Sequence, residues 1–514
     1  MVYDVVIAGA GPVGLMLACE LSLAGIRVVV VERLTEPDLT IKAQVVNRPT
    51  TDAFCRRGML PGLASAQQRR AEHFKSFADG LIRARADGRP PRFGRHFAGI
   101  LVDWDLRDTA DPDFAGQGPA GEVTMVSQQD VERVLGHRAV ALGVELRRGT
   151  ELTGFAADPD RVLVRAGTQT ICSRWLVGCD GGRSIVRRLA GFDFPGTGPE
   201  ITGHQAVVDM VGADELEPSW NHTSHGVYLY GPVPGRILTV EFDGPPADRD
   251  APVTLAEVQA SVRRVTGADI TITKLHSATR FTDNARQATT YRRGKVLLAG
   301  DAAHVHSPFG GQGLDLGIGD AMNLGWKLAA EIRGWAPPGL LDTYTAERHP
   351  IGARVLDWTR AQVALMRPEP NACALREIVR ELMGSVASTT YLVKRLSGAW
   401  LRYDIPGDHP LTGCPAPDLV LSDGSRLSSH CGDGKALLLD LADDESVRAC
   451  AEGYTDQVRT LTSRCDSQPD LAGLLLRPDG YVAWAQDRPA AAGPLRDALR
   501  MWFGLPAPVP VGPA

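Results

Sequence analysis

The residues with the clearest chemical meaning lie where apolar runs give way to glycine. Gly300-Asp301 closes the run Val296–Ala299, and a carboxylate at the C-terminal end of such a strand can accept hydrogen bonds from sugar or polyol hydroxyls. Pro308, Gly310, Gly311, Gln312 and Gly313 follow, and then an apolar helical segment from Leu314 to Leu328. Glycines let backbone approach a flat ligand closely. A helix start offers unpaired N–H groups and about half an elementary positive charge, which suits a ring carrying negative charge, such as reduced flavin. Taken alone, the segment has an ordinary strand-loop-helix turn as its lesser alternative. A second group is Gly9-Ala10-Gly11-Pro12-Val13-Gly14, between the apolar run Tyr3–Ala8 and a helical run to about Ala24. A second strand, Arg27–Glu32, ends on an acid. This order is the dinucleotide-binding arrangement: Gly9 for the tight turn, Gly11 for approach of a pyrophosphate, Gly14 for helix-on-strand packing and Glu32 for ribose hydroxyls. The pattern fits NAD and FAD alike. Lys42 and Arg48 add cations that either neighbour the pyrophosphate or are solvated.

These residues need a framework to hold them. The run Thr40–Gly58 reads as a loop entering a short helix capped by Thr50 or Thr51, and Met125–Leu142 as an amphipathic helix with Ser127 as N-cap and Gln128 in its first turn. Arg161–Val164 and Thr170–Val177 read as strands, the second leading into the turn Cys179-Asp180-Gly181-Gly182-Arg183. From Gly191 to about Ile272 the texture changes. Strand-like His204–Val211, Gly226–Tyr230 and Ile237–Phe242 are separated by turn-rich pieces, which predicts an antiparallel sheet. Its His204, Trp220, His222, His225, Tyr228 and Tyr230 suit either a pocket wall for a large flat ligand or ordinary packing. Leu340–Arg360 and Ala374–Leu401 read as helices, Pro406–Pro417 as a linker, and the remainder as a small α/β domain whose tail frays from about Pro506.

At 514 residues the chain predicts two or three domains. A net charge of −6 and the lack of any long basic run argue against nucleic acid or an anionic membrane as partner. Nine scattered cysteines with no CxxC and no zinc-like spacing fit a reducing cytoplasm and predict no metal site. The N-terminus carries Asp4 and several glycines, unlike a signal peptide or a membrane span.

Three motifs in order, GAGPVG at Gly9–Gly14, CDGGRSIVR at Cys179–Arg187 and AGDAAHVHSPFGGQG at Ala299–Gly313, resemble the single-component (class A) FAD-dependent aromatic hydroxylases. YTAERHP at Tyr344–Pro350 and LRPDGYVAW at Leu476–Trp484 resemble the subgroup of aromatic polyketide hydroxylases and rifampicin monooxygenase. The resemblance covers essentially the whole chain. It implies an α/β fold of glutathione reductase/p-hydroxybenzoate hydroxylase type. In that fold a discontinuous Rossmann-like FAD-binding domain comprises residues 1–72, 98–190 and 275–400. A middle antiparallel-sheet substrate domain comprises 73–97 and 191–274, and a thioredoxin-like domain without CxxC comprises 407–514. FAD would lie along Gly9, Gly11, Pro12, Val13, Gly14, Glu32, Arg33, Lys42, Arg48, Gln128, Gly300 and Asp301. Pro308, Gly310, Gly311, Gln312, Gly313 and Leu314 would lie against its ring, with Asp180 and Arg183 in the motif shared by FAD and reduced nicotinamide. Lys42 and Asn47-Arg48-Pro49 depart from the pattern of many members.

The implied reaction uses NADPH or NADH as a transient co-substrate and O2, through a flavin C4a-hydroperoxide, to hydroxylate a polycyclic aromatic polyketide in antibiotic biosynthesis. The protein would work in the cytoplasm as a monomer or homodimer. Baeyer–Villiger oxygenation, antibiotic inactivation and a non-catalytic FAD-binding module are the alternatives. The tryptophan-rich GWxWxIP motif of flavin-dependent halogenases is absent.

Overall fold

The computed structural model describes residues 2–84, 95–249, 251–489 and 492–507, apart from 115, 117, 120 and 122. Apolar runs without polar alternation must be buried on both faces, and Val2–Ala8 and Val28–Val31 pair in parallel at the heart of a sheet. Its strand order is Arg292–Arg293, Val296–Leu298, Gln169–Gly178, Val2–Ala8, Val28–Val31, Glu145–Arg147. All neighbours are parallel except the edge strand Arg292–Arg293. A hairpin of Leu152–Ala157 and Val162–Ala166 pairs antiparallel with the start of Gln169–Gly178. The register sets Ala8 beside both Val31 and Gly178, and Gly178 beside Leu298. The segments that begin at Gly9, Glu32, Cys179 and Ala299 therefore leave the sheet from one row along one edge.

Two helices clad this sheet at close range. Pro12–Leu23 lies against Gly313–Arg333, which is buried around most of its circumference. Gly317 and Gly325, eight residues apart and so on one helix face, make the approach possible. A Cβ on Gly317 would stand 2.5 Å from Val13 Cγ2, and one on Gly325 2.6 Å from Glu20 Cβ. The short helix Arg48–Arg56 begins earlier than expected, with Asn47 in the N-cap position. Thr50 and Thr51 lie inside it, and the Thr50 hydroxyl donates to Asp315 Oδ1 at 2.7 Å. The Ser127 cap is as expected: its hydroxyl accepts from Asp130 N, in a capping box. A long helix, Leu60–Ala84, was not evident from the sequence, and residues 85–94 of the stretch assigned to the middle domain lie outside the described residues.

The middle region is a five-stranded antiparallel sheet ordered Ser219–Thr223, Gly226–Tyr230, Arg236–Glu241, Thr202–Val211, Thr271–Phe281. Side chains alternate between its faces. Ala206, Val208, Tyr228, Tyr230 and Ile237 pack under the helix Leu255–Thr266, whereas Val227, Leu229, Leu238 and Val240 pack toward Phe97, Phe309 and Val363.

Beyond it, a 3-10 turn Leu340–Asp342 leads into the helix Thr343–Met366. The expected helix Ala374–Leu401 is two helices, Pro370–Leu382 and Val386–Ser397, because Gly384 and the Ser385 N-cap interrupt it. The C-terminal unit is a mixed sheet ordered Val458–Thr462, Ala436–Asp440, Leu471–Leu476, Val482–Asp487, closed by the helix Ala492–Phe503. The segment expected to be a linker is packed rather than free: Tyr403 N donates to Gly413 O at 2.8 Å, and the Tyr403 ring stacks on Tyr481 at 4.0 Å. Of the tail expected to fray, Ala507 N donates to Gly453 O at 2.8 Å, and residues 508–514 lie outside the described residues. Among the described residues no helix is long and apolar enough to cross a membrane.

Candidate functional site

At the common sheet edge the three glycines of the first turn have different reasons to be glycine. Gly9 has φ +104°, and a Cβ there would sit 2.3 Å from Cys179 O; on Gly14 it would sit 2.0 Å from Gly9 O. On Gly11 it would meet no protein atom within 4 Å. Gly11 is therefore free of any packing demand, and it borders open space at the start of the helix Pro12–Leu23. No side chain caps that helix, and Pro12 takes its first turn. Its remaining N–H groups are left for an anion. Glu32 is fixed beside the turn, Oε2 accepting from Ala10 N at 2.8 Å and Oε1 from Leu34 N at 2.9 Å. Asp180 Oδ2 accepts from Ile185 N at 2.7 Å and Val186 N at 3.1 Å, while its Oδ1 is buried without a partner among the described residues. Burial pushes the Asp180 carboxyl above the usual range, against those hydrogen bonds.

One strand further on, Gly300 N donates to Asp320 Oδ2 at 3.0 Å, and Gly300 takes φ +62° with its Cα face against Val13. This holds the turn so that Asp301 is exposed at the sheet edge. The loop from Pro308 reaches the uncapped helix Gly313–Arg333 through Gly310 (φ +84°) and Gly311 (φ +60°). Leu314 is buried in its first turn, and Gln312 Nε2 donates to Arg395 O at 3.2 Å. Asp315 follows in the same turn, its Oδ1 accepting from Asn47 N at 2.9 Å and from Thr50. Its Oδ2 is buried and unpartnered among the described residues. Burial pushes this carboxyl up to about 6, against the charge of Arg95.

The other expected cofactor residues are more scattered. Arg33 is exposed, Lys42 pairs with Asp38 at 2.8 Å, and Gln128 Nε2 donates to Glu132 Oε1 at 2.9 Å. Arg48 is buried and turned away, donating to Asp113 O at 3.2 Å and Gly116 O at 3.0 Å. Arg183 is exposed and donates to Arg249 O at 3.4 Å.

Beside the Pro308–Gly313 loop lies an aromatic cluster drawn from distant parts of the chain. His96 and Trp220 have ring centroids 4.1 Å apart, Phe97 and Trp358 4.5 Å, and Phe309 meets Trp220 and Phe281 edge-on at 6.3 and 6.1 Å. The hairpin His96–Phe97/Ile100–Leu101 turns through Ala98 and Gly99, both at positive φ. It is stapled on two sides. Gln362, fully buried, accepts from Ala98 N at 3.0 Å through Oε1 and donates to Phe309 O at 3.2 Å through Nε2. His222 Nε2 donates to Ala98 O at 3.0 Å, and burial takes the His222 imidazole down to about 4. Of the six side chains expected on a pocket wall, Trp220 and His222 reach this cluster, while Tyr230 packs under the helix Leu255–Thr266. His204 faces the helix Leu255–Thr266 and bonds Glu257 at 2.8 Å, Tyr228 packs under the same helix, and His225 is exposed in a turn.

Residues 2–359 match the model of the FAD binding domain family, and residues 409–506 match that of the aromatic-ring hydroxylase C-terminal region. A 12-dehydrotetracycline 5-monooxygenase/anhydrotetracycline 6-monooxygenase of Streptomyces rimosus is 40% identical, over 99% of this chain and 100% of its own. A rifampicin monooxygenase of Streptomyces venezuelae is 39% identical, over 98% of this chain and 99% of its own. The anhydrotetracycline hydroxylase OxyS from S. rimosus superposes with a TM-score of 0.85 at 39% identity, covering 99% of this chain and 100% of that one. The chain belongs to the FAD-dependent aromatic-ring hydroxylases.

This hydroxylase is an FAD-dependent monooxygenase, and the turn just described fits its cofactor: the open face at Gly11 and the uncapped helix behind it suit an anionic pyrophosphate, and Asp180 Oδ1, without a partner among the described residues, can accept from a ligand hydroxyl or N–H. The candidate residues of this half were legible in the sequence because each motif is local. It named Trp220 and His222 as wall candidates but not Arg95, His96, Phe309, Trp358 or Gln362 on the aromatic side. Gly99 after His96-Phe97 marked a turn at most; nothing local pointed to the others.

Proposed function

We propose that this flavoprotein hydroxylates a polycyclic aromatic compound of polyketide type in the tailoring of an antibiotic, taking electrons from NADPH or NADH and one oxygen atom from O2. The observation that carries the reading is the aromatic cluster around Trp220 and Phe309, set directly beside the glycine loop 310–313. The names of the tetracycline and rifampicin relatives support the substrate class. Bound FAD supplies the redox chemistry, accepting a hydride from the nicotinamide and activating dioxygen.

The chain supplies everything else. N–H groups at the start of Pro12–Leu23 would hold the pyrophosphate, Glu32 the adenosine ribose and Asp301 the polyol chain. The start of Gly313–Arg333 stabilises negative charge that develops against the loop before it. The rings of Trp220, Phe309, Phe281, Phe97 and Trp358 exclude water and orient a flat substrate. We further read the protein as cytoplasmic, a monomer or homodimer, with neither nucleic acid nor membrane as partner; nine unpaired cysteines and a net charge of −6 support this.

The test is NADPH consumption by the FAD-loaded protein against a panel of polycyclic polyketides under labelled O2. The expected result is strong stimulation by one compound, with one labelled oxygen in a hydroxylated product. A ring-expanded ester would replace hydroxylation by Baeyer–Villiger chemistry, and peroxide as the sole product with every compound would overturn the proposal.

A further inference from the structure

Arg95 stands where the hairpin meets the glycine loop. Its backbone carbonyl accepts from Val102 N at 3.0 Å, closing the hairpin, and its Nη1 donates to Gly310 O at 3.2 Å. Nε and Nη2 are shut off from solvent and have no hydrogen-bond partner among the described residues. No carboxylate among those residues lies within 4.0 Å of the guanidinium; the charged neighbour is Asp315, which already accepts from Asn47 and Thr50. A guanidinium keeps its charge in any protein environment, so two desolvated donors are left for an acceptor that the described residues do not provide. Next in sequence, His96 Nδ1 accepts from Gly99 N at 3.0 Å. That bond requires an unprotonated Nδ1, so the neutral ring carries its proton on Nε2 and presents a further donor. Burial, with Arg95, His222 and Arg236 nearby, keeps the His96 ring neutral, down to about 3. Beside these donors lie the rings of Trp220 and Phe309.

We infer that Arg95 is a specificity-determining residue that binds an ionised oxygen of the substrate, a phenolate or the enolate of a β-dicarbonyl, while the aromatic cluster takes the attached ring. The inference rests on the aromatic-substrate reading above and narrows it to compounds with an acidic hydroxyl. Binding the ionised form raises electron density on the ring to be oxygenated and holds it next to the glycine loop. A paired donor set of this kind, Nε with Nη2, suits one oxyanion or two adjacent oxygens.

The probe is 1,2-dihydroxyanthraquinone, whose red anion absorbs beyond oxidised flavin, compared with its dimethyl ether on the FAD-loaded enzyme. In the unaltered protein the bound hydroxyl should ionise at least about one pH unit below the free compound. Arg95→Met should abolish that shift and weaken the hydroxy compound about tenfold or more, with the ether changed less than about twofold. Arg95→Lys should recover part of the shift. Equal binding of both compounds by the unaltered enzyme, with no shift, would overturn the inference whether or not the variants fold. So would a ligand-free Arg95→Met protein with an altered flavin spectrum or weakened FAD retention, since the cation would then serve the cofactor. Failure of both compounds to bind would instead remove the aromatic-substrate reading, and this inference with it.

Discussion

Glycine is a single residue type, yet Gly11 and Gly14 fail differently when given a methyl group. Gly11→Ala should leave the melting temperature unchanged and lower FAD affinity about tenfold or more, because the new Cβ meets no protein atom and occupies only the cofactor's approach. Gly14→Ala should lower stability by about 1–3 kcal/mol, because its Cβ would stand 2.0 Å from Gly9 O. Thermal melts and FAD titration of the two variants check both. Asp315 gives a pH signature. Its folded-state ionisation lies near 6 against 3.8 for the free side chain, so the native state holds the proton more tightly. That stabilisation is complete below pH 3.8 and is lost as pH rises through about 6, about 3 kcal/mol in all. Asp315→Asn, a neutral copy of the protonated acid, should match the parent near pH 4 and exceed it by up to that amount at pH 8, measured by urea unfolding of the apoprotein. The three-glycine spacing and Glu32 were readable in the sequence because a single short stretch, Gly9–Glu32, contains the whole device. The burial of Asp315 was not, since it depends on Asn47 and Thr50 from a segment far upstream.

Among elements, the hairpin His96–Leu101 shows why the substrate side was hard to read. It has only two residues per strand, too few for a periodic signal. It is held by Gln362 from a helix more than two hundred residues later and by His222 from the middle sheet. Gln362→Leu leaves Ala98 N and Phe309 O without their buried partner, a loss of about 1–3 kcal/mol of local order. The expected outcome is near-normal FAD binding, kcat/KM down about tenfold and more peroxide per NADPH consumed; an unchanged ratio of product to NADPH would remove Gln362 from this role. The middle sheet was read correctly as antiparallel from turn-separated apolar runs. Which of its faces met the site was not, because alternation defines two faces without ranking them. His204 and Tyr228 fell on the face covered by Leu255–Thr266.

For the molecule as a whole, the C-terminal unit is fastened to the cofactor domain by buried charge as well as by apolar packing. Arg477, almost wholly buried, donates to both Glu347 oxygens at 2.7 and 2.8 Å and to Asp479. Lys327 Nζ reaches Glu347 at 2.8 Å. Against a burial that pushes it up, the charges of Arg477 and Lys327 hold the Glu347 carboxyl well below the usual range. Arg477→Met should therefore lower stability by about 3–5 kcal/mol by stranding Glu347 and Asp479, and denaturation followed by tryptophan fluorescence and flavin release should show both losses at one midpoint. Two separate transitions would mean that the units are independent. A texture change near Gly407 marked this unit in the sequence, but its docking was invisible there, since a proline-rich stretch reads as a spacer whether or not it is pinned.

The helix Gly313–Arg333 has Trp326 packed against Trp502 and Phe503, while its first turn carries the glycine loop of the cofactor site. Ribosomes make proteins in one direction, so the loop is synthesised long before the two aromatic residues that cover the far end of its own helix. Until they emerge, Trp326 lacks the two rings that pack on it from the C-terminal helix. A nascent chain stopped before the C-terminal unit should therefore be a chaperone client that retains FAD poorly. A truncation that removes Trp502 and Phe503 should then weaken flavin retention, although it lies far along the chain from every glycine of the cofactor loop.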